Sequence, residues 1–225
     1  MRPEIRYTIT ALGLFILFSI AQQLSPAPLY AADNSRVRAK IGVQIQSDQK
    51  ISRARSRERL KPKDAVRLYV HAEKSCYIYI IHTDGKSVDL LNITEQKIHS
   101  STLILPSAQA FYEIDGQSSM EKFTIICTPE QIKELSGMEK QSITLAQWRT
   151  IETALENRSN LLDSKDSDDP FSINGNVASI AGNVRGVTSS IRNSSGANDD
   201  PFLKELQIFS GHGLVIKSYE FQIQK

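Results

Sequence analysis

Between Leu60 and Thr128 the chain reads as a succession of short apolar runs, each cut off by turn residues, and this punctuation limits the fold more than any other feature. Ala65-Val66-Arg67-Leu68-Tyr69-Val70 alternates, with Val66, Leu68 and Val70 on one face and Arg67 on the other, the period-two pattern of a half-buried strand. Pro62-Lys63-Asp64 supplies the turn that launches it. Cys76-Tyr77-Ile78-Tyr79-Ile80-Ile81 is β-branched and aromatic without a break, and its shortness predicts a strand buried on both faces rather than a helix. Asp84-Gly85 offers the positive φ angles of a hairpin turn, returning Ser87 to Leu91 as an antiparallel partner. Further runs end at Pro106, at Asp115-Gly116 and at Thr128-Pro129. These signals predict a mainly β fold with accessory helices, an antiparallel β-sandwich or partly closed barrel.

The order of Pro62-Lys63-Asp64, Tyr77-x-Tyr79, Asp84-Gly85, Leu90-Leu91-Asn92, Leu105-Pro106, Phe111 to Ile114 and Glu121 to Thr128 resembles the domain of unknown function 4384. The resemblance covers roughly Leu60 to Thr128, about a third of the chain, and its motifs are turns and aromatics rather than reactive groups. It departs from the family at Lys63, where a glycine is usual, and at Leu91, where a proline is usual. The resemblance implies an exported or membrane-anchored bacterial protein and assigns no activity. Tyr77, Tyr79 and Asn92 are the family-like positions, and we expect them to determine the fold rather than form a site.

Ahead of this region, Arg2 and Arg6 precede an apolar run from Ile9 to Ala21 that is short for a membrane span, and Leu29-Tyr30-Ala31 leads into Ala32. This predicts a signal peptide over residues 1–31 and a periplasmic or secreted protein; left uncleaved, the same segment anchors the chain to the membrane. No later stretch is apolar enough to span a bilayer. Residues 32–59 read as a basic linker with an edge strand over Ile41 to Gln46, 60–136 as the β-rich core, and 137–225 as a helix, a polar loop and a returning strand that complete the same domain.

The formal net charge is +2 and implies no strong long-range field. Locally, Arg53, Arg55, Arg57 and Arg59 crowd together, which reads either as a patch for lipid headgroups, cell-wall polymers or an acidic partner, or as a solvated strand face. No aromatics are interleaved with them, so nucleic acid is not an expected partner.

After the core, Thr128-Pro129-Glu130-Gln131 predicts a short helix closed by Gly137, and Thr144 with Gln147 forms a second capping box. Leu145, Trp148, Ile151 and Leu155 recur at helical spacing, an amphipathic stripe that must pack on the sheet. Asp163 to Pro201 is rich in Asp, Ser, Asn and Gly and reads as a partly ordered loop, its aspartates serving turns and caps rather than calcium. Leu214 to Ile223 alternates as a long final strand with Tyr219, Phe221 and Ile223 on one face.

Chemistry is sparse. His71, His82, His99 and His212 lie far apart, no phosphate-binding glycine loop or nucleophile elbow is present, and the sequence predicts no catalytic residue, metal or cofactor. Cys76 and Cys127 end apolar strands, and an oxidising compartment favours a disulfide between them over two buried thiols. The expected function is that of an exported, non-catalytic binding or regulatory module contacting a protein or envelope polymer. A small-ligand-binding envelope protein and a hydrolase with a cryptic site are the alternatives.

Overall fold

The computed structural model describes residues 36–92, 97–98, 101–136, 138, 142–159, 177–178 and 200–224. The expected signal peptide, His99 and most of the expected 163–201 loop lie outside the described residues. Among the described residues twelve strands follow in chain order: β1 (Arg36–Ser47), β2 (Lys50–Arg53), β3 (Arg57–Leu60), β4 (Ala65–Ala72), β5 (Tyr77–Thr83), β6 (Val88–Leu90), β7 (Thr102–Leu105), β8 (Tyr112–Glu113), β9 (Met120–Thr128), β10 (Val177–Ala178), β11 (Gln207–His212) and β12 (Val215–Ile223). They form two sheets. The first runs β10-β7-β4-β1-β11, with β2 also on β1 and β8 on β4; the second runs β3-β12-β9-β5-β6. Pairing is antiparallel except for β3 with β12 and β10 with β7.

Alternation explains why the sheets stack. Ile41, Val43, Leu68, Val70, Leu103 and Leu105 of the first sheet share one buried cluster with Ile78, Ile80, Phe123, Ile125, Val215 and Phe221 of the second. Each such side chain taken fully out of water stabilises the fold by about 1.5–3 kcal/mol, so this inter-sheet layer dominates the energetics. The fold is therefore a β-sandwich, and among the described residues it has one α-helix.

That helix, α1 (Leu145–Arg158), starts where Thr144 and Gln147 bond reciprocally in a capping box. It lays Trp148 and Leu155 on Tyr79, Ile81, Ile126 and Ile216, the outer face of the second sheet. The outer face of the first sheet is covered at Tyr69 and Ile104 by Phe202, Leu203 and Leu206, which belong to or follow a 3-10 turn over Pro201–Glu205.

Two local expectations change. The strand expected at an edge over Ile41 to Gln46 is the twelve-residue β1, a central strand flanked by β4 on one side and by β11 and β2 on the other. The helix expected after Thr128 is one 3-10 turn, Lys133–Leu135. The Thr128 hydroxyl accepts from the Glu130 N–H instead of capping a helix, and the Ile132 N–H is drawn to the Tyr79 hydroxyl at 2.9 Å. No helix among the described residues is long and apolar enough to cross a membrane.

Candidate functional site

The four arginines stand where the chain passes from one sheet to the other. β1 and β2 are joined at Asp48 and Gln49, both with positive φ (47° and 67°). Beyond β2 the buried Ala54 donates its N–H to the Val43 carbonyl at 2.7 Å, and the chain then joins the second sheet as β3. This crossing splits a run of alternate arginines that would share one face of a continuous strand. Arg53 is in register with Gln44 on the outer face of the first sheet, its Nη1 donating to the Glu205 carbonyl at 3.2 Å. Arg55 lies in the crossing, its N–H donating to Glu58 Oε2 at 2.9 Å. Arg57 and Arg59 are in register with Glu220 and Gln222, which alternate with the inward Phe221 and Ile223, so both point from the outer face of the second sheet.

All four arginines are exposed, as are Lys50, Lys61 and Lys63 around them. None of the four guanidinium groups forms an ion pair among the described residues. Beside β3 and β12 lies an open depression of about 190 Å³ lined by Arg57, Glu58, Arg59, Glu220 and Gln222. On the same flank Ile51, in register with Gln46, is 56% exposed. Guanidinium groups keep their charge at any physiological pH and can bind carboxylates or phosphates with two parallel N–H donors; here Arg57 and Arg59 share the depression with the carboxylates of Glu58 and Glu220.

A second polar region lies under the cover of the first sheet. The Tyr69 hydroxyl is 2.6 Å from Asp200 Oδ2 and 2.9 Å from Gln44 Oε1, and it accepts from Arg67 Nη1 at 3.2 Å. Arg67 also donates from Nε to the Ala110 carbonyl and stacks 3.8 Å from the centre of the Phe111 ring. Burial, reinforced by the bond to Asp200, pushes the Tyr69 hydroxyl far above its ordinary pKa. Further along, His71 Nδ1 lies 3.1 Å from Thr102 Oγ1, and Lys40 is its register partner on β1. Burial and then the charge of Lys40 hold the His71 pKa below its usual value, while burial and then Arg38 lower that of Lys40. Because every partner in the Tyr69 network is internal, the cluster fastens the covering turn to the sheet. Sequence reading missed it: Asp200 precedes Pro201-Phe202 as a cap would, and nothing local pairs it with Tyr69.

The remaining expected residues have structural roles. Asn92 accepts from the Ile80 N–H at 2.8 Å and donates to the Ile78 carbonyl at 2.7 Å, continuing the ladder beyond β6 with its side chain. Tyr79 is fully buried under α1 and holds the Ile132 amide; Tyr77 is half-buried beside the same cluster. The described histidines stand apart: His71 on the first sheet, His82 bonded to Glu121 at 2.5 Å, and His212 exposed on β11. Among the described residues no group of three or more metal-ligating side chains comes together.

The expected Cys76–Cys127 disulfide is corrected: both cysteines are free and buried. They do not face each other across the sandwich: Cys76 immediately precedes β5, and Cys127 lies on the neighbouring β9 of the same sheet. Ile78 is the register partner of Cys127, which leaves Cys76 diagonal to it. Diagonal neighbours in an antiparallel pair have backbones about 7–8 Å apart, wider than a disulfide usually spans, and here the two thiols are hydrogen-bonded rather than bridged. The Cys76 thiol beside it, together with burial, raises the Cys127 pKa well above normal. Compared with known proteins, the chain matches no family model, no curated protein and no solved structure.

Proposed function

We propose that this chain is an exported, non-catalytic binding or regulatory module that contacts an acidic protein or envelope polymer through the flank bearing Arg53, Arg55, Arg57 and Arg59. The resemblance to the domain of unknown function 4384 implies export and permits a binding role without assigning one. The observation that carries the reading is the set of four exposed guanidinium groups without ion-pair partners among the described residues, three of them on paired strands and Arg55 in the crossing between the sheets. Surface cations already matched by carboxylates have little left to offer a ligand. These four keep their capacity, and their spread around the flank suits a surface or a chain more than a single small anion.

The test is capture of partners from a native envelope extract by the residue 32–225 protein and by a variant carrying Arg53→Glu, Arg55→Glu and Arg57→Glu. The variant is expected to lose the acidic partners, and the parent to release them as salt is raised. An unchanged partner set would remove the flank from the reading. Turnover of a cell-wall or peptide substrate by the purified protein, lost on replacing one histidine, would replace the binding module with an enzyme.

A further inference from the structure

Among the described residues β3 is the outermost strand of the second sheet on the arginine flank, with β12 as its one neighbour. In their parallel ladder the Glu220 N–H donates to the Ser56 carbonyl at 2.9 Å and the Gln224 N–H to the Leu60 carbonyl at 2.8 Å. Backbone groups alternate sides along a strand, so Ser56, Glu58 and Leu60 turn theirs towards β12, while Arg57 and Arg59 turn their N–H and C=O groups to the open edge. The residues with open backbone groups are thus the residues with exposed guanidinium side chains.

We propose that this edge accepts an extended acidic segment of a partner protein, which adds to the second sheet as a further strand and sets carboxylates against Arg57 and Arg59. The proposal rests on the arginine flank being the contact surface, and it names the kind of partner and the mode of contact. Main-chain bonds to an exposed edge supply affinity in such complexes, and side chains at alternate positions supply selection. An acidic strand is the occupant that charge allows. A second copy of β3 would place arginine opposite arginine, and like charges directly across a strand pair are destabilising. Cationic residues on a short edge strand also blunt unselective pairing, which leaves an oppositely charged segment as the fit.

The register refines the choice. Carboxylates must fall on every second residue of the partner to stand on the outer face with Arg57 and Arg59. The residues between them fall on the face of Glu58 and Leu60, where a further acid would meet Glu58. Glu220 stands in the same row as Arg57, whereas Arg59 stands beside the neutral Gln222. A carboxylate opposite Arg59 therefore gains more than one opposite Arg57.

The experiment uses the residue 32–225 protein and two synthetic peptides of identical composition: one alternates glutamate with valine and threonine, and the other gathers its glutamates into one block. Affinity and residue-level amide exchange are read together. The alternating peptide is expected to bind more tightly and to slow exchange at the Arg57 and Arg59 amides while leaving Glu58 unchanged. Reversal of both charges (Arg57→Glu with Arg59→Glu) should weaken that binding about tenfold or more, and Glu220→Gln should strengthen it. Both changes are at exposed or half-exposed positions, and circular dichroism verifies that each variant is folded. Equal, arginine-dependent binding of both peptides without slowed exchange would overturn the edge pairing and leave the flank as a contact surface. Arginine-dependent binding confined to an anionic polymer such as polyphosphate would do the same. Binding that ignores the arginines throughout would overturn the flank reading as well.

Discussion

Tyr69 and Asp200, 131 positions apart in the chain, meet at 2.6 Å between their hydroxyl and carboxylate oxygens. A hydroxyl has one proton to give, and the charged, closer oxygen of Asp200 takes it in preference to Gln44. Asp200 Oδ1 meanwhile accepts from the Phe202 N–H at 2.9 Å, so one carboxylate both starts the 3-10 turn and ties it to β4.

Tyr69→Phe removes the shared hydroxyl and leaves the Asp200 and Gln44 oxygens without it. The expected loss is about 1–3 kcal/mol of unfolding free energy, read from the urea midpoint. Accelerated exchange at the Leu203 amide, which bonds to the Asp200 carbonyl, would localise the effect.

His71 makes stability depend on pH. Its folded pKa lies below the usual 6.5, through burial first and the Lys40 charge second, so in the window beneath that value the unfolded chain binds more protons than the folded one. The contribution is therefore fully present above the unfolded pKa and is lost as pH falls through it towards the lower folded value. Urea midpoints should decline as pH falls below 6.5, and His71→Gln should flatten that part of the profile. An identical decline in the variant would assign the effect to other groups.

Cys76 and Cys127 should alkylate together in denaturant without reductant and resist alkylation in the folded protein. Burial blocks the reagent, and the raised Cys127 pKa keeps that thiol protonated, which removes its nucleophile. Intact mass before and after reduction should agree, and a difference of two hydrogens would mean that a bridge forms after all.

Gly116 has φ +75°, and a Cβ there would lie 2.7 Å from Pro62 Cγ and 2.9 Å from Pro62 Cβ. The ring has little freedom to withdraw, because the adjoining Lys63 N–H is bonded to the Ile114 carbonyl and the Asp64 N–H to Lys61. Gly116→Ala combines left-handed strain with this clash and should cost about 1–3 kcal/mol in thermal or urea unfolding.

Thr144→Ala removes the hydroxyl that accepts the Gln147 N–H and should cost about 1 kcal/mol, with the first turn of α1 exchanging faster. Trp148→Ala empties the middle of the cluster beneath the helix and should cost about 3–5 kcal/mol. Equal costs for the two would show that the helix contributes through its cap rather than its packing.

Much of the sandwich is legible because its strands keep their period without interruption. Leu68, Tyr79, Ile80, Ile125 and Phe221, which belong to those apolar runs, are each 0% exposed, and Trp148 of the amphipathic stripe is 1% exposed. β1 is harder to read at full length, since Arg38 and Gln44 on its outer face are buried polar residues that imitate a solvated edge. The arginine flank is legible as composition but not as shape. Alternate positions imply one face, and only the burial of Ala54 shows where the chain changes sheets. The cysteines fail for a related reason: strand ends are visible in the sequence, but the register that makes the pair diagonal is a property of two distant segments.

β12 lies between β3 and β9, and its residues 215–223 are synthesised after every other described strand. Until they arrive, both neighbours have an open side, and the apolar residues Ile125 and Ile126 of β9 line one of them. A ribosome delivers the chain from its amino-terminal side, so the second sheet can be completed only after β12 has emerged. The growing chain therefore cannot close this layer before β12 emerges: until then β3 and β9 keep two unpaired borders, and the sheet is finished by insertion between them rather than by addition at an edge.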